Sequence, residues 1–313
     1  MKKILTYPIT AGDQGLCIRQ YLQNKGYSRH LLIGLKKSPE GILLNGERAH
    51  VDDSLKNGDA LTIQLEEEGS SPGIVPTPMD LCIVYEDPDL LVINKPAGLP
   101  VHPSQGHYDH TLANGLAWYF QQKGEPFVYR AVSRLDRNTS GLLLLARHKL
   151  SACLLSDMVQ KHLIRRQYQA VVKGLPPCQG TVIAPISRVP GSTIQRQVDL
   201  ERGEYACTHY RLLHYNQDLD CSLVALTLET GRTHQIRVHM SHIGHPVLGD
   251  FLYYPDFSHI SRQSLHSCRL TLTHPFTGQK LVFLAPLPED MRFVLQGSNP
   301  FSITSAAPWD SDS

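Results

Sequence analysis

The sequence predicts an α+β fold with a mixed sheet rather than a doubly wound α/β fold. Strand-like and helical stretches do not alternate regularly along the 313 residues, as they would in a doubly wound sheet. Two neighbouring apolar stretches, YACTHYRLLHY at 205–215 and CSLVALTLET at 221–230, have the pattern of paired strands. TLANGLAWYFQQK at 111–123 has the pattern of a helix.

Residues 13–66 predict a small domain of two helices and a hairpin. Apolar residues recur at helical spacing from Ile18 to Leu35, and the Asn-Gly pair in GILLNGERA indicates a hairpin turn. Residues 67–80 are acidic and rich in Pro, Gly and Ser, which predicts a linker. A larger domain follows over 81–296, and the polar segment 297–313 predicts a disordered tail.

Four further stretches of the larger domain have clear patterns. They are a buried strand in GLLLLA at 141–146, a helix in LSACLLSDMVQKHL at 150–163, an alternating strand in RQYQAVVKG at 166–174, and a helix in GRTHQIRVHMSHIG at 231–244.

Composition and charge are those of an ordinary globular protein. Hydrophobic residues make up 41% and charged residues 19% of the chain, and the net charge is +1. No apolar stretch has the length of a membrane span and the first residues do not resemble a signal peptide, so we expect a cytoplasmic protein without a membrane partner. Residues 130–173 are locally basic, which fits either a phosphate-binding face or a solvated surface.

The stretch RLDRNTSGLLLLA at 134–146 places one carboxylate in an unusual position. Asp136 lies between Arg134 and Arg137, and neighbouring positive charges favour the ionised carboxylate. The polar turn and the buried strand that follow would hold such a group rigidly, as catalysis requires. Taken alone, the stretch favours a structural ion pair at the start of a strand.

Two other segments contain candidate functional side chains. In GRTHQIRVH, His234 and Arg237 are three residues apart and would share one side of a helix. Arg237 lies between apolar residues, so it is either a buried arginine that needs a carboxylate or phosphate, or an exposed helix residue. Tyr168 follows Arg165 and Arg166 on a predicted strand, where it would stack on a base, transfer a proton, or simply cover the core.

The histidines do not predict a catalytic metal site. Their spacings match neither H-E-x-x-H nor a zinc finger, and no Glu lies within either group. A histidine-metal hydrolase is kept only as an alternative. The two groups are His102, His107 and His110, and His234, His239, His242 and His245.

In this order, five segments resemble the RluA-type family of RNA pseudouridine synthases. They are VINKPAGLPVHP, RLDRNTSGLLLLA, RRQYQAVVKG, ETGRTHQIRVHMSHIGHPVLGD and LHSCRLTLTHPFTG, within residues 81 to 290. The resemblance implies a mixed, largely antiparallel central sheet with flanking helices, and a small N-terminal RNA-binding domain. It also implies an enzyme that isomerises uridine in RNA to pseudouridine without a cofactor or a metal.

The resemblance also implies roles for particular residues. Asp136 matches the family's essential aspartate, Tyr168 its active-site tyrosine, and Arg237 the arginine that pairs with the aspartate. Ser133 departs from the family, which usually has His before the R-L-D sequence.

The partner expected from the resemblance is RNA, with ribosomal RNA favoured over transfer RNA, and the protein is expected to be a monomer. An alternative is a non-catalytic RNA-binding protein with the same fold that acts in ribosome assembly. The residues expected to contact RNA are Arg134, Arg137, Arg165, Arg166 and His234.

Overall fold

A computed structural model describes residues 2–67, 69–104, 106 and 108–296. The tail predicted to be disordered, 297–313, lies outside the described residues. The predicted α+β class is confirmed, because a nine-stranded sheet and a four-stranded sheet combine with helices that do not alternate with the strands.

The N-terminal part of the chain forms a four-stranded antiparallel sheet packed against two helices. Its elements are β1 (Lys2–Pro8), α1 (Ile18–Asn24), α2 (Arg29–Lys37), β2 (Ile42–Leu44), β3 (Glu47–Arg48) and β4 (Ala60–Glu66). The strand order is β1-β4-β2-β3. Asn45 and Gly46 have φ values of 55° and 87°, as a tight hairpin turn requires. β1 was not predicted, because it has no fully buried residue and its apolar pattern is weak.

The rest of the chain is built on the nine-stranded sheet, of order β5-β6-β7-β14-β8-β13-β12-β9, with β15 paired to β14. Only β7 and β14 pair in parallel among the described strands, so the largely antiparallel sheet is confirmed. The nine strands are β5 (Ile83–Glu86), β6 (Leu90–Lys95), β7 (Ser140–Ala146), β8 (Arg165–Lys173), β9 (Gln179–Ile183), β12 (Cys207–Asn216), β13 (Cys221–Leu228), β14 (Leu265–Thr273) and β15 (Lys280–Leu284). A separate two-stranded ribbon consists of β10 (Ile186–Arg188) and β11 (Arg196–Val198).

Helices cover both faces of the large sheet. They are α3 (Leu112–Gln122), α4 (Lys149–Gln160), α5 (Gln235–His242) and α6 (Glu289–Leu295). On one face α3 and α5 share an apolar cluster with alternate residues of β7 and β8. On the other face α4 shares a second cluster with the remaining residues of β7 and with β14 and β15.

This arrangement explains the unbroken apolar run of GLLLLA. Leu143 and Leu145 belong to the cluster under α3, while Leu142 and Leu144 belong to the cluster under α4. A central strand that is covered on both faces has no polar alternation. Gly141 is required at its start, because its φ is 110° and a Cβ there would lie 2.2 Å from the Ser267 carbonyl oxygen.

The N-terminal unit packs against the body of the protein. Lys3 forms an ion pair with Asp89, which also contacts His148 Nε2 at 2.7 Å. Leu150 of α4 belongs to the apolar core of the N-terminal unit. In the segment 67–80 that joins the N-terminal unit to the body, the Val75 carbonyl accepts a hydrogen bond from Asn114 of α3 at 2.8 Å. The division into domains at 67–80 stays a prediction.

The helix predicted over 231–244 is shorter than expected, and this prediction was wrong at its N-terminal end. α5 begins at Gln235, and His234 has the left-handed φ of 59°. The reason is local hydrogen bonding, because the Gln235 side chain accepts from Arg232 N–H at 2.9 Å and from the Thr230 hydroxyl at 2.8 Å. Residues 230–234 therefore form a turn rather than the first turn of the helix.

Candidate active site

Asp136 lies in the turn that leads into β7. The Thr139 N–H donates to the Asp136 carbonyl at 3.1 Å, and the neighbouring Leu135 is buried in the core. This anchoring leaves the Asp136 side chain 22% exposed. The turn thus presents a carboxylate from a rigid strand end, as the sequence suggested.

A charged partner of Asp136 comes from a distant part of the sequence. Arg237 Nη1 donates to Asp136 Oδ2 at 2.9 Å, from 101 residues away. Arg134 and Arg137 are exposed, and Arg137 Nε donates to the Gly98 carbonyl at 3.1 Å. The structure thus shows a distant arginine in contact with Asp136, and the idea that the two flanking arginines also hold the carboxylate stays a prediction.

Arg237 is buried, with 1% of its side chain exposed. Its Nε and Nη2 donate to the two oxygens of Asp250 at 2.6 and 2.7 Å, in bidentate geometry. Asp250 is fully buried and also accepts the Leu252 N–H at 3.0 Å. Bidentate pairs fix a guanidinium in one orientation, so Asp250 directs the remaining nitrogen of Arg237 at Asp136. Asp250 was missed as a functional residue, although the HPVLGD sequence contains it.

His234 lies beside the same carboxylate. Its Nε2 is 3.8 Å from Asp136 Oδ2, and its Nδ1 is 3.1 Å from the Tyr253 hydroxyl. Burial lowers the pKa of His234 to about 4, which outweighs the opposing effect of Asp136. The imidazole is therefore neutral at pH 7, and Arg237 is the charged group that contacts Asp136.

Lys95, at the end of β6, is hydrogen-bonded to the turn that contains Asp136. Its side chain is fully buried, and Nζ donates to the carbonyls of Pro96, Leu99 and Arg137 at 2.8–2.9 Å. Burial lowers the pKa of Lys95 to about 7, while Asp136 opposes that shift. Lys95 thus ties the loop after β6 to the residue that follows Asp136. Lys95 was not selected from the sequence as a candidate site residue.

Asp136 and Tyr168 line one small cavity with a volume of about 60 Å³. Tyr168 lies on β8 and is 5% exposed. Apolar side chains of Leu228 and Leu265 line the same cavity, as do His234 and Arg237. The structure therefore brings together the three residues that the resemblance selected, in a partly apolar cavity with one charged end.

The predicted RNA-contacting arginines fall into two groups. Arg134 lines the rim of the cavity, and Arg166 lies on the same face of β8 as Tyr168. Arg165 projects from the opposite face of β8 by strand alternation, so the structure does not bring it to the cavity. Other basic residues between 130 and 173 form ion pairs, for example Arg130 with Glu67 at 2.9 Å and Lys161 with Asp157 at 2.7 Å.

Two of the histidines considered as metal ligands have other partners. His239 is fully buried and lies 2.9 Å from the Thr208 hydroxyl and 2.8 Å from the Ala184 carbonyl. His245 Nδ1 donates to the Lys173 carbonyl at 2.9 Å. These contacts tie α5 and the turn after it to the sheet.

A larger cavity, of about 740 Å³, is lined by Lys95 and Ser140 among other residues. Its lining includes Arg262, His266 and Asp290. Arg262 is paired with Asp290 and donates to the Asn138 carbonyl at 3.3 Å. Neither Asp136 nor Tyr168 lines this cavity, so it does not contain the candidate catalytic groups.

Within the described part of the chain, none of the helices is long and apolar enough to cross a membrane.

Comparison with known proteins shows what the chain is similar to. Residues 89–242 match the family model described as RNA pseudouridylate synthase. The chain is 41% identical over 285 residues to the Bacillus subtilis (strain 168) protein named Uncharacterized RNA pseudouridine synthase YjbO, covering 91% of this chain and 100% of that protein. It is 39% identical over 276 residues to Ribosomal large subunit pseudouridine synthase D of Zymomonas mobilis, covering 82% and 85%.

The chain is also similar to a solved structure of a protein with an RNA pseudouridylate synthase domain. Human RNA Pseudouridylate Synthase Domain Containing 1 superposes with a TM-score of 0.56 at 28% identity, covering 66% of this chain and 83% of that one.

Proposed function

The chain belongs to the RNA pseudouridine synthase family, and we propose that it isomerises specific uridines of ribosomal RNA with Asp136 as its catalytic carboxylate. Family membership makes it an isomerase that converts uridine in RNA to pseudouridine. Relatives named as ribosomal large subunit pseudouridine synthases, at 35–39% identity, support ribosomal RNA over transfer RNA. The proposed enzyme acts as a monomer in the cytoplasm.

The observation that carries the proposal is the contact between Arg237 and Asp136 at the wall of the cavity. Both near contacts of the carboxylate, from Arg237 and His234, go to Oδ2. Oδ1 is thus the oxygen directed at the substrate. The charge-assisted hydrogen bond orients the carboxylate, and the preorganised cavity strengthens electrostatic effects on the reacting uridine.

The reaction needs a carboxylate and later a base. The bond from the sugar to the ring nitrogen breaks, the uracil turns, and the ring rejoins the sugar through a carbon atom that must then lose its proton. Asp136 acts on the sugar or on the ring, or assists elimination, as carboxylates do at other glycosidic bonds. Tyr168 lines the same cavity and is positioned to accept the proton or to stack on the base.

The cavity must open to admit the uridine. A dry cavity of about 150 Å³ accommodates a benzene-sized ring, whereas this one measures about 60 Å³. Arg134 and Arg232 line it with exposed side chains, and their movement would enlarge it. The uridine must also be flipped out of folded RNA, at a cost of a few kcal/mol.

Positive charge at the rim would offset part of that cost. Arg134 lines the cavity, and it is proposed to contact, together with Arg137 and Arg166, the phosphates that flank the uridine. His234 is proposed to contact the flipped nucleotide from the cavity wall. Residues 13–66 are proposed as an additional RNA-binding domain.

The proposal is tested by tritium release from RNA labelled at carbon 5 of uridine. The RNA comes from cells that lack this protein, and ribosomal and transfer RNA are assayed separately. Wild type is expected to release tritium from ribosomal RNA, and Asp136→Asn is expected to release none. Release by Asp136→Asn at the wild-type rate would exclude Asp136 as the catalytic group, and release from transfer RNA alone would overturn the proposed substrate.

A further inference from the structure

Three potential metal ligands converge at the edge of the large sheet, away from Asp136. Cys207 Sγ, His209 Nε2 and Glu229 Oε1 belong to a group whose ligand atoms all lie within 4.8 Å of one another. Cys207 Sγ is 3.8 Å from His209 Nε2, which is 2.6 Å from Glu229 Oε1. We propose that this group binds Zn²⁺, as a site separate from the catalytic cavity.

Strand geometry accounts for the convergence. Cys207 and His209 are two residues apart on β12, so their side chains share one face. Glu229 follows β13, and its N–H donates to the Cys207 carbonyl at 3.2 Å, which makes it the cross-strand neighbour of Cys207. The alternate residue Thr208 faces α5, where its hydroxyl contacts His239. The three ligands therefore lie on the sheet face that is turned away from α5.

The distances suit a tetrahedral ion. Zinc bonds of 2.0–2.3 Å in tetrahedral geometry place the ligand atoms about 3.3–3.8 Å apart. The distance from Cys207 to His209 already has this value. Glu229 Oε1 has to move away from His209 Nε2 by about 1 Å to reach this spacing. It can do so because 52% of the Glu229 side chain is exposed.

A second contact orients the histidine. His209 Nδ1 lies 2.8 Å from the Thr181 hydroxyl on the neighbouring strand β9. An outer partner that holds the distal ring nitrogen is typical of metal-bound histidine. When Nδ1–H donates to Thr181, the lone pair of Nε2 points towards Cys207 and Glu229. In the structure, His209 Nε2 lies 2.6 Å from Glu229 Oε1, so the carboxylate is already at the position that the metal would share.

The ligand chemistry selects zinc over calcium or magnesium. A thiolate and an imidazole are ligands for zinc and for softer metals, while calcium and magnesium require oxygen. Cys207 is buried, whereas the side chains of His209 and Glu229 are 42% and 52% exposed. The fourth position therefore faces solvent and is filled by water. A cysteine binds zinc as the thiolate, so zinc binding releases a proton and strengthens as the pH rises.

The site adjoins the segment that forms the cavity wall. The Cys207 N–H donates to the Thr230 hydroxyl at 3.0 Å, and the Cys207 carbonyl accepts from Gln235 Nε2 at 2.9 Å. Gln235 is the first residue of α5, which carries Arg237. Zinc is therefore expected to slow amide hydrogen exchange in residues 205–209 and 229–235.

Zinc binding is measured on untagged, full-length protein after treatment with EDTA and removal of the chelator. Equilibrium dialysis against ZnCl₂ gives the amount bound, and Co²⁺ in place of zinc gives a sulfur-to-metal charge-transfer band. Wild type is expected to bind one zinc ion, and Cys207→Ser and Glu229→Gln are expected to lose it. Thr181→Val is expected to weaken binding by about 10–100-fold.

Cys178→Ser is the matched control, because Cys178 is an exposed cysteine outside the group. It is expected to bind zinc as wild type does. Glu229→Gln changes an exposed side chain, so its loss of binding cannot be ascribed to misfolding. No zinc uptake by wild type, or unchanged uptake by Cys207→Ser, would overturn the proposal. The assay contains no RNA, so its outcome is independent of the proposed catalytic function.

Discussion

Arg237 is shared by two carboxylates, and the same substitution at each is expected to have a different effect on stability. Asp250 is fully buried and accepts two hydrogen bonds from Arg237, at 2.6 and 2.7 Å. Asp136 is 22% exposed and accepts one, at 2.9 Å. We therefore compare Asp250→Asn with Asp136→Asn, which are isosteric changes around one guanidinium.

Asp250→Asn is expected to destabilise the protein. It turns an amide NH₂ towards a buried guanidinium or a backbone N–H and leaves the charge of Arg237 poorly compensated. Breaking a buried ion pair on one side costs about 3–5 kcal/mol. At about 2–4 °C per kcal/mol for a chain of this size, Tm falls by about 6–20 °C. Because Arg237 is no longer held, tritium release is also expected to fall by about 100-fold.

Asp136→Asn is expected to abolish tritium release and leave stability nearly unchanged. The asparagine oxygen still accepts from Arg237, and Asp250 still compensates the guanidinium charge. The free energy of unfolding should change by no more than about 1 kcal/mol, as for a partly exposed ion pair. Tm is measured by circular dichroism and activity by tritium release, on the same preparations.

Either of two results would refute this reasoning. If Asp250→Asn melts within about 2 °C of wild type, the bidentate pair does not hold Arg237. If Asp136→Asn lowers Tm as much as Asp250→Asn does, Asp136 is a structural group and its loss of activity says nothing about catalysis.

Three further predictions follow from the same geometry. Lys95→Met removes the donor that the carbonyls of Pro96, Leu99 and Arg137 share, so the free energy of unfolding should fall by about 3 kcal/mol in urea titrations. An unchanged midpoint would contradict the bonding described for Nζ. Burial lowers the pKa of His234 and of His266 to about 4, so between pH 6.5 and 4 the unfolded chain binds more protons than the folded protein does. The free energy of unfolding should therefore decrease as the pH is lowered, by up to about 1.4 kcal/mol per pH unit for each histidine. Denaturation at pH 7.5 and 5.5 checks this, and equal stability at the two pH values would contradict it. Tyr168→Phe should lower tritium release by about 100-fold or more with Tm unchanged if the hydroxyl is the base, whereas full activity would leave stacking as its role.

The local patterns of the sequence determined most of the secondary structure, and the resemblance of five segments to a known family supplied the candidate catalytic groups. The alternation in RQYQAVVKG, the apolar run of GLLLLA and the Asn-Gly turn each predicted an element that the structure contains. Side-chain period and turn chemistry are properties of a few neighbouring residues, so one sequence suffices to read them.

What only the tertiary structure decided is which side chains meet. The arginine that contacts Asp136 comes from α5, 101 residues away, while Asp250 enters from a later loop. Likewise, Cys207 meets Glu229 only because β12 and β13 pair in one register. Such contacts depend on how distant segments cross and on which face each strand buries. Shifting a strand by one residue would turn every side chain to the other face, and no local pattern in the sequence records that choice.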